Sequence, residues 1–358
     1  MHVPDGFINA PVSVAAGVVA AGAVAVSLRG ARRELDERIA PLAGLVAAFI
    51  FAVQMLNFPV AAGTSGHLLG GALAAILVGP YTGVLCVSVV LLMQGILFAD
   101  GGLTALGVNI TVMAVVTTVV AYATFRGLVK VLPKKRRSVT VSAFVAAALS
   151  VPAAALAFTL VYAIGGTTDV PIGRVLTAMV GVHVLIGLGE AAITAFTVGA
   201  VIAVRPDLVY GARGLRQKLR LRVGGELVDA APDPQPELTP VPAASHRTRN
   251  VWLTGLAASL VLAGVVSFYA SASPDGLEKV AADKGIDAKV EEHAAADSPL
   301  ADYGVEGITD GRLSGGLAGV IGVGATVVAG TGVFWAVRRR RTDEDVTAAS
   351  AATPGASV

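Results

Sequence analysis

Charge is scarce in this 358-residue chain. Asp, Glu, Lys and Arg together make up 15% of it, against about 25% in a typical soluble domain. Aromatic residues reach only 5%, while hydrophobic residues reach 54%. A soluble protein with a large core is thereby excluded. The one cysteine, Cys86, lies in an apolar run. It permits no disulfide framework and reads as a small buried apolar group. There is no G-x-x-x-x-G-K-[ST] phosphate loop, no HExxH and no nucleophile elbow. If the protein pumps, another chain hydrolyses the ATP. The opening MHVPDGF carries no basic leader, so no signal peptide is expected to be removed and Met1 is expected to stay residue 1. Internal repeats are missing as well.

What the chain does have is long runs of Ala, Val, Leu and Gly. A bilayer-spanning helix needs about 20 apolar residues. Helices are expected at 10–28, 42–57, 67–79, 81–98, 108–129, 139–164, 175–204, 250–270 and 315–337. The third is short and starts at Gly66-His67, so it is expected as a partial span resting on neighbours. Pro and Gly mark the turns, as at Gly79-Pro80, Gly101-Gly102 and Gly165-Gly166. With an external N-terminus, 22 of the 27 Lys and Arg residues fall inside; the outer side keeps Arg174, Lys279, Lys284, Lys289 and Arg312. That bias orients the chain with its N-terminus outside and its C-terminus cytoplasmic.

The expected fold class is an all-α polytopic membrane protein in two unlike parts. Residues 1–204 form a seven-helix bundle with short connections. Residues 205–249 form a basic, Pro-rich cytoplasmic linker expected to be disordered. Residues 250–341 form a two-helix hairpin with an extracytoplasmic loop at 271–314, and 342–358 read as a disordered tail. That outer loop holds ten acidic residues against four basic ones. It reads either as a cation-concentrating entrance or as an ordinary solvated loop.

The topology puts Met1 and His2 on the same outer face as the loop AAGTSGH, residues 61–67. A free α-amine, the amide nitrogen of residue 2 and the His2 imidazole form adjacent five- and six-membered chelate rings. His67 would add a fourth nitrogen and complete a square-planar set suited to Ni(II), low-spin Co(II) or Cu(II). Zn²⁺ prefers a tetrahedron and fits poorly. Each histidine also has a plain reading, His2 as an exposed terminal residue and His67 as a polar loop residue. Asp5, between Pro4 and Gly6, reads as a turn or as the fold that returns the first residues to the bundle. Asn109 reads as a helix cap or as a residue orienting a ligand imidazole. His183 and Glu190 are seven apart and share a helix face. Ionisable groups within a span point to function, and a buried structural hydrogen bond is the other reading. Glu190 is expected to lie too deep to be a ligand.

Four motifs carry a family resemblance: MHVPDGF at 1–7, QMLNFPVAAGTSGHLLGG at 54–71, DGGLTALGVN at 100–109 and HVLIGLGE at 183–190. In that order they resemble the cobalt/nickel substrate-binding (S) components of energy-coupling-factor (ECF) transporters, of the CbiM/NikM type. SPDGLEKVA at 273–281 resembles the PDGLE domain often fused to them, giving a CbiMN/NikMN-type chain. The resemblance implies the seven-helix S-component bundle and a metal held by the Met1 amine, the His2 amide and imidazole, and the His67 imidazole. It also implies partners: a transmembrane coupling (T) protein and two cytoplasmic ABC ATPase subunits, with no nucleic acid. Ni²⁺ or Co²⁺ would be transported substrate, with a slight lean to nickel, and no other cofactor. The expected function is import by a non-enzymatic subunit. Two other readings are an intramembrane metalloenzyme using His183 and Glu190, and a metal sensor that binds without transporting.

Overall fold

The computed structural model describes residues 1–35, 39–61, 63–215, 220–223, 226–229 and 245–351. Its helices are α1 (Ala10–Glu34), α2 (Ile39–Gln54), α3 (Gly71–Val78), α4 (Pro80–Leu97), α5 (Leu106–Asn109), α6 (Thr117–Val131), α7 (Arg136–Gly165), α8 (Ile172–Val204), α9 (Ser245–Gly264), α10 (Gly276–Lys284) and α11 (Gly311–Ala351). A π-helical turn, Ile110–Val116, joins α5 to α6. Two short hairpins complete it, β1 (Phe58–Ala61) with β2 (Thr64–Gly66), and β3 (Arg220–Val223) with β4 (Glu226–Asp229). Seven helical stretches among the described residues are long and apolar enough to cross a membrane. Their outward faces carry apolar side chains such as Val18, Leu160, Phe196 and Val328. Such faces suit a lipid solvent, which satisfies no polar group.

Local chemistry sets the element ends. Asn9 caps α1 by accepting from the Val12 amide, with Pro11 in the first turn. Glu34, at the end of α1, caps α4 by accepting from the Tyr81 and Thr82 amides and the Thr82 hydroxyl. The predicted third span is a half-helix of eight residues. At 1.5 Å per residue it rises only about 12 Å. The buried stretch 66–70, which is not helical, leads into it. Irregular backbone at membrane depth persists only where protein satisfies it. Here Glu190 of α8 accepts from the Leu69 and Gly70 amides at 2.7 and 3.1 Å, and Gln54 of α2 donates to the Leu69 carbonyl at 3.0 Å. Gly70 sits at φ +90°, where a side chain would be strained and would meet Ile50.

The two parts of the chain pack together. α11 lies along α2, with Gly44 against Gly330 and Thr331, a small-residue contact. The segment after α8 differs from expectation. Leu208, Val209 and Ala212 are buried, and Gly211 approaches Phe125 and Ile76, so the start of the predicted linker packs on the first unit. The expected tail differs too, because α11 continues to Ala351. Residues 230–244 and 352–358, and Arg38, Arg216 and Lys218, lie outside the described residues.

Candidate metal centre

The first residues are buried and tied down residue by residue. Met1 is 2% exposed and Val3 1%. Asn109 clamps Val3 on both sides, accepting from its amide at 2.8 Å and donating to its carbonyl at 3.0 Å. Gly102 donates to the same carbonyl. Asp5 accepts from the Thr104 amide and hydroxyl and from the Leu103 amide. The turn therefore hooks the N-terminus into the loop that follows α4. Asn109 lies inside α5 and holds backbone, not an imidazole, which corrects both sequence readings of it.

This hook delivers the amine to His67. Met1 N lies 2.5 Å from His67 Nε2. The His67 Nδ1 lies 3.0 Å from the Leu68 carbonyl, which fixes the ring. The His2 ring stacks on the His67 ring at 5.1 Å between centroids and 13° between planes. His2 Nδ1 stands 3.2 Å from Asp100 Oδ1, and Nε2 stands 3.2 Å from Gln94 Oε1. Among the described residues the His2 amide N–H has no acceptor. Burial is the largest influence on the His2 imidazole and pushes it down to about 4 against the pull of Asp100, so it is neutral, the form in which an imidazole can take a metal.

Sequence reasoning missed the fourth group. Asp275, from the second unit, reaches in with Oδ2 2.6 Å from Met1 N and 3.4 Å from His67 Nε2. Burial would raise its carboxyl, but the terminal ammonium and His67 outweigh that and hold it well below the usual carboxylate range. No cluster of three or more His, Cys, Asp or Glu side chains forms a metal site among the described residues. What converges is His67, Asp275 and the chain's first nitrogen, with His2 alongside.

The outer loop is no free solvated segment. Ser271 donates to the Asn57 carbonyl, Ser65 to the Pro274 and Ser273 carbonyls, and Glu291 to the Asp5 carbonyl. Asp302 and Ser298 donate to the Phe98 and Leu97 carbonyls, and Tyr303 donates to Asp100 at 2.6 Å. Burial and the Asp100 carboxylate push the Tyr303 hydroxyl well above its ordinary value. An open cavity of about 1030 Å³ between the units is lined by His2, His67, Asp100, Asp275, Glu278 and Asp302, among others.

The deeper pair does not form a site. Both Glu190 oxygens hold the backbone behind His67, and His183 Nδ1 lies 2.7 Å from its own helix's Met179 carbonyl. Among the described residues His183 makes no hydrogen bond to the His2 or His67 imidazole, so it does not orient them, and its Nε2 has no partner. The metalloenzyme reading loses its geometry.

Residues 2–208 match the family described as the cobalt uptake substrate-specific transmembrane region, CbiM, and residues 249–339 match the PDGLE domain. A putative metal transport protein of Haloquadratum walsbyi is 40% identical over 59% of this chain and 94% of its own length. A putative fused nickel transport protein, NikMN, of Archaeoglobus fulgidus is 37% identical over 65% of this chain and 75% of its own. A crystal structure of a transition metal transporter aligns with a TM-score of 0.51 and 25% identity, covering 57% of this chain and 93% of that one.

Proposed function

The chain belongs to the CbiM family of metal transport proteins and carries a PDGLE domain behind that region, and on that footing we propose that it is the metal-capturing subunit of an ECF-type importer of Ni²⁺ or Co²⁺. It is a transporter component, not an enzyme. The observation that carries the reading is the buried meeting of Met1 N with His67 Nε2, beside a stacked and neutral His2. In the proposed site the metal takes the Met1 amine, the His2 amide nitrogen and Nδ1, and His67 Nε2. Loading turns the His2 ring away from Asp100. Tetragonal nitrogen ligation selects Ni(II) or low-spin Co(II) over Zn²⁺, and the nickel name of the fused relative favours nickel. The carboxylates lining the cavity favour cation entry.

The Lys and Arg distribution supports an external N-terminus, so the site opens outward. Release inward is assigned to a coupling protein and two ATPase subunits, because this sequence has no phosphate loop. The test is a titration of purified full-length protein with Ni²⁺ and Co²⁺. His2→Ala, His67→Ala and one extra residue before Met1 are each expected to abolish binding while expression persists. Unchanged affinity in the extended variant removes the amine from the site. Cellular uptake of labelled metal that does not depend on the ATPase subunits overturns the importer reading.

A further inference from the structure

The second unit places one carboxylate oxygen among the nitrogen donors. Asp275 Oδ2, Met1 N and His67 Nε2 are separated by 2.6, 3.4 and 2.5 Å. Donors at right angles on a metal with bonds of about 2.0–2.1 Å stand about 2.8–3.0 Å apart, so the two short hydrogen bonds and the longer third side bracket the spacing of one face of a coordination polyhedron. In the planar set the Met1 amine has two neighbours, the His2 amide nitrogen tied to it by the chelate ring and His67 Nε2. An oxygen adjacent to both the amine and His67 Nε2 therefore lies off the plane.

We propose that Asp275 of the PDGLE unit is an axial oxygen donor to the metal held by the N-terminal nitrogens, so that the two units complete one site. The proposal rests on the four-nitrogen reading above. Asp275 is built for a fixed position. Its Oδ1 accepts from the Leu277 and Glu278 amides, and Glu278 accepts from the Asp275 amide, a full capping box. The Pro274 carbonyl before it accepts from the Ser65 amide, two residues from His67. Gly276 after it lies against Ile186, Val182 and His183, where a Cβ would overlap Ile186. Only Oδ2 is left to face the donors, and the side chain is 9% exposed.

Charge balance supports the same assignment. A divalent ion bound by one ionised amide and one carboxylate makes a neutral buried unit; without the carboxylate the unit carries an unpaired positive charge, which burial penalises. In the metal-free arrangement the terminal ammonium holds that place beside Oδ2. On loading, the amine and amide protons leave to water, the metal takes the four nitrogens and Oδ2, and no electron is transferred.

The experiment is nickel K-edge X-ray absorption on full-length protein loaded with Ni²⁺ alone. The expected wild-type spectrum is five-coordinate, without the sharp pre-edge feature of four-coordinate square-planar Ni(II). Asp275→Ser keeps a helix-capping oxygen but is too short to reach the metal. It is expected to show that feature and to bind Ni²⁺ about tenfold more weakly. A square-planar wild-type spectrum overturns the proposal whether or not the variant folds, and so do identical spectra for the two proteins. His67→Ala tests the underlying site separately: retained affinity there defeats the four-nitrogen reading itself.

Discussion

The tripeptide Pro-Asp-Gly occurs at 4–6 and again at 274–276, and the two copies meet around the same amine by different means. In the first, both Asp5 oxygens are spent on the loop after α4, and Gly6 turns the chain at φ +86°. In the second, one Asp275 oxygen starts a helix and the other reaches Met1. Gly276 is helical, and it is Gly because Ile186 leaves no room for a side chain. The same residue types thus make a hook in one unit and a finger in the other. The backbone that follows decides which. Glu278 completes a capping box, whereas Phe7 leads to the bridge between Ile8 and Gly166.

Substitution separates the two roles. Asp5→Ala leaves the Leu103 and Thr104 amides and the Thr104 hydroxyl without their acceptor. It is expected to destabilise the protein by about 3 kcal/mol and to weaken Ni²⁺ binding about 100-fold, read by thermal melting in detergent and by titration. Equal melting of variant and wild type would show that the hook is dispensable. Asp275→Ala removes a cap worth about 1 kcal/mol and a charge-assisted bond to the Met1 amine, which keeps His67 Nε2 as a partner. A total near 2 kcal/mol is expected, below that of Asp5→Ala; a larger loss would reverse the ranking of the two turns. The glycines differ in kind. Gly6→Ala forces a left-handed side chain and drives its Cβ into the Lys289 backbone carbonyl, costing about 2–3 kcal/mol, while Gly276→Ala, the smallest effect, costs about 1 kcal/mol by overpacking against the Ile186 side chain. Trimming Ile186 to Ala is expected to rescue Gly276→Ala and not Gly6→Ala, as melting of the double variants would register.

The long helices were readable because apolar composition over about 20 residues is a bulk signal. That Met1 and His2 meet His67 was readable because the topology set the N-terminus and the loop 61–67 on one face; their joint hold on a metal is the proposal above. Asp275 was not, because nothing in SPDGLE says what lies 274 residues upstream in space. Its D-x-x-E spacing fits the capping box that the structure shows. The second oxygen's destination depends on how the hairpin docks. Asn109 was misread for a related reason: a polar residue near a loop suggests a cap, whereas here the following π-turn belongs to a continuous helix that carries the side chain inward. His183 and Glu190 share a face as their spacing requires, yet their partners are main-chain groups, which periodicity does not reveal.

The stretch 66–70 and its half-helix have a consequence for biogenesis. Eight helical residues are too few to be inserted as a span on their own, and the carboxylate that satisfies the bend arrives 120 residues later with Glu190. His67 therefore acquires its setting only after α8 has been synthesised and folded back, and Asp275 arrives later still. In nascent chains halted before residue 190, a cysteine placed at position 67 should react with thiol reagents, and in chains extended past α8 it should fall silent.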